Sequence, residues 1–173
     1  YIALTAFTKS EFVRSGFAAD RISVKPNFLN FDPGAGAGQG GYAVYVGRLS
    51  PEKGIDTAIS AWRVLSMPLG LKIIGTGPME SELKSRASDD RRIEFLGHRE
   101  LSEVLCIIGE AAVLIFPSEW FETFGRVAIE SYAKGTPVIA AAIGAVAEVV
   151  ENEVTGYLFS PGDAEGLAKQ VNR

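Results

Sequence analysis

Short apolar runs that alternate with amphipathic segments constrain the fold of this chain more than any other feature. Five runs rich in β-branched residues each end at Gly, Pro or a small residue, namely Tyr42–Val46, Leu71–Ile74, Ile93–Leu96, Val113–Phe116 and Val138–Ala141. A shorter strand is predicted at Ile22–Val24. Helical patterns separate the runs, at Ile55–Leu65, Met79–Ala87, Ser102–Glu110 and Gly125–Lys134. Strands that alternate with helices predict an α/β fold with a Rossmann-like, doubly wound parallel sheet and right-handed crossovers.

The composition agrees with such a sheet and argues against several classes of protein. The 173 residues are 47% hydrophobic, which suits one domain whose sheet is covered on both faces. The net charge of −4 argues against a nucleic-acid-binding surface. No segment reaches the roughly 18 apolar residues of a membrane span. The start Tyr1–Thr5 lacks the basic region of a signal peptide, so we expect a cytoplasmic protein.

Two features of the sequence are expected to be structural only. The lone Cys106 lies in the apolar stretch Val104–Ile108 and is expected to fill the core. The segment Gly34–Gly41 is predicted to be a flexible loop or linker. It contains a GxGxxG pattern, but a dinucleotide-binding fingerprint must follow a strand and open a helix. Because this pattern precedes the strand Tyr42–Val46, we discount it.

Functional residues are expected where the strands end at their carboxyl edge, because ligands of open parallel sheets bind there. Gly47 follows the first strong strand, and Arg48 and Lys53 stand five positions apart across a Ser-Pro turn. A planar guanidinium fork and a mobile ammonium suit a diphosphate. The alternative is that both are solvated surface cations.

The next two strands are also followed by candidate ligand-binding residues. Gly75 and Gly77 would allow the close approach of a ligand, or would only form a tight turn between a strand and a helix. His98 and Arg99 follow the strand after that and could form the wall of a base pocket. Alternatively, the lone histidine is structural or solvated.

The segment Glu122–Glu130 places two carboxylates around a Phe-Gly pair, between a predicted strand and a predicted helix. Glu122 could contact sugar hydroxyls or be a helix N-terminal acid, and the N–H groups of Phe124 and Gly125 would face an anion. Glu130 lies among apolar helical neighbours and needs partners, because burying an unpaired charge is costly. Its partners would be a ribose diol, or the basic residues four positions away on either side.

Taken together, these residues resemble the C-terminal, donor-binding domain of GT-B glycosyltransferases, specifically the retaining glycosyltransferase family 4 (glycosyl transferases group 1). The resemblance covers nearly the whole chain and is most specific in the Glu-x7-Glu segment within Pro117–Val138. Supporting matches are Val46–Gly54, Ile74–Pro78, Phe95–Gly97 and Thr155–Phe159. The order and spacing of these matches carry the resemblance, and the fold that it implies is one half of a GT-B fold.

The resemblance implies a role for each candidate residue. Arg48 and Lys53 would hold the donor diphosphate in place of a metal ion, Glu130 would bind the ribose hydroxyls, and Glu122 would engage the donor sugar. These implied catalytic residues are Glu122, Arg48 and Lys53. The residues implied to bind the donor are Gly47, Arg48, Lys53, Gly75, Gly77, His98, Arg99, Glu122, Phe124, Gly125 and Glu130.

The implied activity is transfer of a hexose from a UDP-, GDP- or ADP-sugar, with retention of configuration and without a metal or other cofactor. The acceptor would be a glycan or lipid-linked glycan, as for a mannosyl- or glucosyltransferase of cell-envelope polysaccharide synthesis. Residues 1–173 would form a single donor-binding domain of a longer protein. The N-terminal acceptor domain would be absent from this chain, and without it the fragment is expected to be inactive. Any peripheral contact with a membrane would be made by that absent domain.

Three other functions are compatible with parts of the sequence. A sugar-nucleotide epimerase of the GT-B fold would share the nucleotide site but need no acceptor. A glycosidase would use Glu122 and Glu130 as paired carboxylates. A non-catalytic flavodoxin-like or receiver domain would need clustered acids where Arg48 and Lys53 stand.

The chain departs from the family pattern at two places. Ala145 stands where a glycine is common and is expected to add a methyl group where the backbone approaches the donor sugar. In the segment Pro26-Asn27-Phe28, Phe28 replaces a common glycine, and this change is expected to touch only the linker.

Overall fold

The computed structural model describes residues 1–173 and contains two parallel sheets. The strands are β1 (Ile2–Ala3), β2 (Ser23–Val24), β3 (Tyr42–Val46), β4 (Gly70–Ile74), β5 (Ile93–Gly97), β6 (Val113–Phe116), β7 (Val138–Ala141) and β8 (Gly156–Phe159). The helices are α1 (Ala6–Arg14), α2 (Ile55–Val64), α3 (Glu80–Arg86), α4 (Leu101–Glu110), α5 (Arg126–Ala133), α6 (Val146–Val149) and α7 (Ala164–Val171). None of these helices has the length and apolar character needed to cross a membrane.

The main sheet has six parallel strands in the order β5-β4-β3-β6-β7-β8. From β3 the chain first builds outward through β4 and β5, and then returns to the other side of β3 to build outward through β6, β7 and β8. The strand order therefore reverses between β3 and β6. The predicted Rossmann-like, doubly wound parallel sheet is confirmed.

Alternate residues of each strand point to opposite faces of this sheet, and each face has its own apolar core. On one face Ala43 and Tyr45 of β3 pack with α2, α3 and α7, where Trp62 and Leu167 are fully buried. On the other face Val44 packs with α4, α5 and α6. Strands buried on both faces must be apolar at every position, which explains the continuous runs in the sequence.

The five central strands and four central helices lie within one residue of their predicted bounds at every end. The predictions missed β1, α1, α6, β8 and α7. Helix α1 has no buried residue and therefore no apolar stripe that the sequence could reveal. Strand β8 lies at the edge of the sheet, where three of its four residues remain partly exposed, so it lacks a continuous buried run.

The prediction that Cys106 fills the core is wrong, because its thiol is exposed. Helix α4 turns Val104, Leu105 and Ile108 toward the sheet. Cys106 is two positions from Val104 and two from Ile108, which is about 200° around the helix from each, so it lies on the side away from the sheet. The apolar stretch around Cys106 therefore marks a half-buried helix rather than a fully buried one.

The segment Gly34–Gly41 is irregular, as predicted, but it is anchored along its length rather than free. The N–H groups of Gly36, Gly38 and Gly40 donate to the carbonyls of Lys134, Gly109 and Glu110, at 2.9, 2.9 and 2.8 Å. A Cβ at Gly36 would lie 2.0 Å from the Gly109 carbonyl oxygen. The glycines here allow two backbones to touch, which contradicts the flexible linker expected from composition.

Residues 1–25 form a separate small unit of β1, α1 and β2 beside the main sheet. No buried residue of this unit belongs to either core. Instead the Glu148 carboxylate accepts hydrogen bonds from the N–H groups of Ala6, at 2.9 Å, and of Phe7. The Phe7 ring also lies 5.0 Å from that of Phe121, measured between centroids. The first turn of α1 is therefore attached to the carboxyl edge of the main sheet.

The carboxyl edge of β3, β4 and β5 is held together by backbone contacts that leave no room for side chains. The Gly47 N–H donates to the Ile74 carbonyl at 3.0 Å, and the Gly75 N–H donates to the Gly97 carbonyl at 2.8 Å. Gly75 has a φ of +132°, and a Cβ there would lie 1.9 Å from the Gly47 carbonyl oxygen. A glycine at this position thus sets the distance between two loops that follow neighbouring strands.

We expect Gly75→Ala to lower the free energy of unfolding by about 2–4 kcal/mol, because the new methyl group meets fixed backbone in an unfavourable conformation. Gly97→Ala is the matched control, since Gly97 also has a positive φ, +69°, but has nothing within 4 Å of the added Cβ. The control should lose only about 1–2 kcal/mol. Urea denaturation measures both, and equal losses would contradict the packing explanation.

Candidate functional site

A cavity of about 260 Å³ opens at the carboxyl ends of β3 and β6, where the strand order reverses. Open parallel sheets bind ligands at this kind of reversal, because the flanking loops there diverge to opposite faces. The lining residues are Asn27, Tyr45, Val46, Gly47, Lys53, Ile115, Phe116, Pro117, Ser118, Glu122, Thr123, Phe124, Gly125, Arg126 and Val127. Five predicted site residues are therefore brought into one cavity wall.

Lys53 and Glu122 meet in this cavity although they are 69 positions apart in the chain. Lys53 belongs to the 3-10 turn Pro51–Lys53 that follows β3, and Glu122 belongs to the loop between β6 and α5. The Lys53 Nζ lies 2.6 Å from the Glu122 Oε1. The Ser118 hydroxyl donates to the same oxygen at 2.9 Å. The site thus places a cation and an anion side by side in the cavity.

The N-terminus of α5 forms another part of the cavity wall. Gly125 is the residue before the helix, in a left-handed conformation with a φ of 86°, and no side chain caps the helix there. The first N–H groups of any α-helix lack partners inside the helix, and they carry the positive end of its dipole. Phe124 and Gly125, two of the candidate donor-binding residues, line the cavity. This wall suits an anion.

A second cavity, of about 320 Å³, adjoins the first and shares Val46 and Gly47 with it. Its walls bring together Arg48, Gly75, His98 and Arg99, which follow three neighbouring strands. The two cavities form a continuous cleft along the carboxyl edge. The cleft is polar and cationic at one end, where Arg48 and Arg99 lie, and holds the Lys53–Glu122 pair at the other.

Two predicted site residues lie outside both cavity walls. Gly77 is packed against another loop, and a Cβ there would lie 2.3 Å from the Leu49 carbonyl oxygen. This contact explains why the turn after β4 needs a glycine here, without calling on a ligand. Glu130 lies in α5, where its Oε1 accepts from the Arg126 Nε at 3.0 Å. The structure thus contains the ion pair that was the alternative to a ribose partner.

Burial and charge act on Glu130 in opposite directions. Its side chain is 10% exposed, and burial raises the pKa of the carboxyl, while the charge and hydrogen bond of Arg126 lower it. The burial effect is the larger, so the pKa lies above the usual glutamate range. Arg126 itself lines the cavity, so Glu130 reaches the site through its partner.

Five polar residues of the first cavity wall were not predicted as site residues, namely Asn27, Tyr45, Ser118, Thr123 and Arg126. Tyr45 was identified only as part of a strand, yet its hydroxyl donates to the Arg48 carbonyl at 2.9 Å and supports the turn after β3. Burial, together with the charges of Glu122 and Glu52, raises the pKa of Tyr45 well above its usual value. The signal in the sequence that could have identified Tyr45 is its position near the end of a strand, just before the Gly47-Arg48 turn.

The structure places both departures from the family pattern outside the cavity walls. Phe28 is 74% exposed and does not line the cavity, although the adjacent Asn27 does. Ala145 is fully buried, so its methyl group packs in the core and does not face the cavity.

Comparison with known proteins supports a shared ancestry for most of the chain. The sequence profile of the family described as glycosyl transferases group 1 matches residues 31–173. Glycogen synthase of Mycobacterium tuberculosis is 37% identical over 134 residues, which is 74% of this chain and 32% of that protein. D-inositol 3-phosphate glycosyltransferase of Mycobacterium marinum is 31% identical over 137 residues, which is 74% of this chain and 29% of that protein. The chain spans about a third of the length of these relatives.

Among solved structures, the chain is similar to Anabaena HepE, crystallised in complex with UDP and glucose. The two share 25% sequence identity with a TM-score of 0.89. The match covers 99% of this chain and 52% of HepE. The arrangement of strands and helices is thus shared along nearly the whole chain.

We expect the buried Glu130 carboxyl to make folding stability depend on pH. Because its pKa is raised in the folded protein, the unfolded chain releases this proton at a lower pH. The free energy of unfolding therefore loses a contribution as pH rises from the usual glutamate pKa, about 4.3, through the raised value. Glu130→Gln removes this loss while keeping an acceptor for Arg126.

Urea denaturation of both proteins at pH about 4 and about 7 tests this expectation. Relative to the wild type, the variant should be more stable at the higher pH than at the lower. If the difference in stability between the variant and the wild type is the same at both pH values, burial does not raise the pKa of the Glu130 carboxyl.

Proposed function

This chain belongs to the glycosyl transferases group 1 family, and from this premise we propose that it is the donor-binding domain of a retaining glycosyltransferase of family 4. Its fold is the Rossmann-like half of a GT-B fold. The observation that carries the proposal is the cavity between β3 and β6, where Lys53, Glu122 and the N-terminus of α5 meet. These groups have the chemistry that a nucleotide diphosphate sugar requires.

We propose that the donor lies along the cleft with its diphosphate near the middle. Arg48 and Lys53 follow β3 on either side of a tight turn, so that they flank a group placed above Gly47. The α5 N–H groups would donate to the same diphosphate. The base would lie in the second cavity, against His98 and Arg99, beside Gly75. The donor sugar would lie in the first cavity, next to Glu122.

Glu130 is proposed to bind the ribose hydroxyls in exchange for part of its contact with Arg126. Its second carboxylate oxygen is available for this, because only Oε1 accepts from Arg126. Gly77 is proposed to act indirectly, by holding the turn after β4 close to Leu49.

In the proposed reaction, the bond between the anomeric carbon and the diphosphate oxygen breaks and a bond to an acceptor hydroxyl oxygen forms, with the configuration retained. The acceptor proton leaves with the diphosphate. Negative charge develops on the leaving diphosphate, and Arg48, Lys53 and the α5 N-terminus are placed to stabilise it without a metal ion or other cofactor. Preorganised charges of this kind are worth a few kcal/mol each in the transition state.

The proposal places the acceptor site in a second domain, outside the part of the relatives that this chain matches. The acceptor would be a glycan or lipid-linked glycan, and the whole protein would be cytoplasmic, with any membrane contact made by that domain. The complex of HepE with UDP and glucose supports a UDP-hexose donor. GDP- and ADP-hexoses are the other donors to test, and the isolated chain is expected to bind a donor without transferring its sugar.

A glycosidase that uses Glu122 and Glu130 is disfavoured by their surroundings. Such enzymes place two carboxyls across one sugar bond, with both facing the substrate. Here Glu122 lines the cavity. Glu130 instead is buried in α5, one helical turn beyond Arg126, with which it forms an ion pair. A GT-B epimerase would share the site, and conversion of free donor by the full-length protein without an acceptor would identify it.

We expect Glu130→Ala to weaken nucleotide binding at least tenfold, about 1.4 kcal/mol, because the ribose loses its acceptor. Calorimetric titration of the chain with UDP, GDP and ADP measures this and identifies the base. Glu165→Ala, at an exposed position of α7, is the matched control and should bind normally. Normal binding by Glu130→Ala would remove the ribose assignment.

We expect Arg48→Ala to weaken binding of the nucleoside diphosphate about tenfold or more while changing binding of the nucleoside little, because only the diphosphate carries the charge. The measurement compares UDP with uridine, or the equivalent pair for the base that binds. An equal loss for both ligands would show that Arg48 acts on the base or on the fold instead.

A further inference from the structure

The cation that would receive the diphosphate is already paired with an anion of the same site. Lys53 and Glu122 are 2.6 Å apart, with side chains 31% and 18% exposed. A charge-assisted contact of this length, between side chains that are mostly removed from water, is stronger than a surface ion pair. Any diphosphate that binds Lys53 must therefore compete with the Glu122 carboxylate.

A hydrogen bond from Ser118 holds the Glu122 carboxylate in its position beside Lys53. Ser118 is 2% exposed, and its hydroxyl lies 2.9 Å from the Glu122 Oε1. Its other acceptors, the carbonyls of Glu52 and Trp120, are more distant, at 3.1 and 3.4 Å. The Glu119 N–H donates to the Glu52 carbonyl at 3.0 Å, which ties the loop before Glu122 to the turn that carries Lys53.

We propose that the Lys53–Glu122 pair, positioned by Ser118, makes this site select nucleotide sugars over free nucleoside diphosphates. The inference rests on the proposed function and adds a specificity role to the pair. Glu122 is the specificity residue, because it would touch the donor sugar, and Ser118 is a positioning residue that acts through Glu122.

The selection follows from what each ligand offers to the two charges. A free nucleoside diphosphate would take Lys53 and leave the Glu122 carboxylate without its cation in a partly buried wall, which is costly. A nucleotide sugar would also take Lys53, but its sugar hydroxyls would donate to Glu122 and replace the lost contact. The pair thus weakens the binding of nucleoside diphosphates that carry no sugar.

The same exchange would help the product to leave. When the sugar has moved to an acceptor, the hydroxyl donors leave Glu122, and the carboxylate again competes for Lys53. The nucleoside diphosphate that remains would be held less tightly than the donor was.

The test compares the affinity of a nucleoside diphosphate with that of its hexose conjugate, by calorimetry, for the wild type and Glu122→Gln. UDP with UDP-glucose is the first pair, followed by GDP with GDP-mannose and ADP with ADP-glucose. Glu122→Gln removes the competing charge, so UDP should bind about tenfold more tightly, which corresponds to about 1.4 kcal/mol. UDP-glucose should gain less or bind more weakly, and the preference for the conjugate should fall.

Two further variants separate this role from a general effect on the loop. Glu119→Gln changes a neighbouring carboxylate that accepts from the Thr57 hydroxyl at 2.5 Å and does not line the cavity, so both affinities should stay unchanged. Ser118→Ala should lower the preference for the conjugate part of the way, and Ser118→Thr, which keeps the hydroxyl, should restore it.

Each outcome decides the proposal. If Glu122→Gln binds UDP no more tightly than the wild type does, the proposed selection is wrong. The proposed function still stands in that case, provided that Glu130→Ala weakens nucleotide binding relative to the wild type. An equal effect of Glu119→Gln would also overturn it, since a change of net charge would then suffice. If neither the wild type nor Glu122→Gln binds any of these ligands, the proposed function fails and the selection fails with it.

Discussion

The reversal of strand order between β3 and β6 is the constraint on which the rest of this structure depends. The connections that leave these two adjacent strands lead to opposite faces of the sheet, and this divergence opens the cleft above their carboxyl ends. It also brings the turn at Lys53 and the loop at Glu122 together across 69 positions of sequence. The packing of glycine backbones at Gly75 and Gly77 then fixes how closely the neighbouring loops approach.

Two cations of this cleft are already paired with carboxylates, so a ligand that binds them has to exchange contacts rather than simply add them. Lys53 pairs with Glu122, and Arg126 pairs with Glu130. A nucleotide sugar carries both anionic phosphates and hydroxyl donors, and it is therefore able to replace both halves of such a pair. Pairs of this kind keep each charge in a hydrogen-bonded position near the cavity, and they set the ligand chemistry that can enter.

The sequence predicted the central sheet well, because strands buried on both faces must be apolar at every position, as Tyr42–Val46 and Val138–Ala141 are. It also predicted that Lys53, Glu122 and Gly125 would lie near one another, since parallel strands end at one edge. The rest depended on contacts that no local pattern records. The exposure of Cys106 depends on which face of α4 meets the sheet, and the close backbone approach of Gly36 depends on Gly109. The place of Asn27 in the wall depends on where the loop after β2 meets the carboxyl edge of the main sheet.

The central claim is that a nucleotide diphosphate sugar binds at the carboxyl edge between β3 and β6. Amide chemical shifts of the isotope-labelled chain, followed during titration with UDP-glucose, GDP-mannose and ADP-glucose in turn, test it most directly. One of these ligands should shift the amides of Gly47, Arg48, Phe124, Gly125 and Arg126 together, and leave those near the amino ends of the strands, such as Leu69 and Ala112, in place. Shifts confined to the amino ends, or no shift with any of the three donors, would contradict the account.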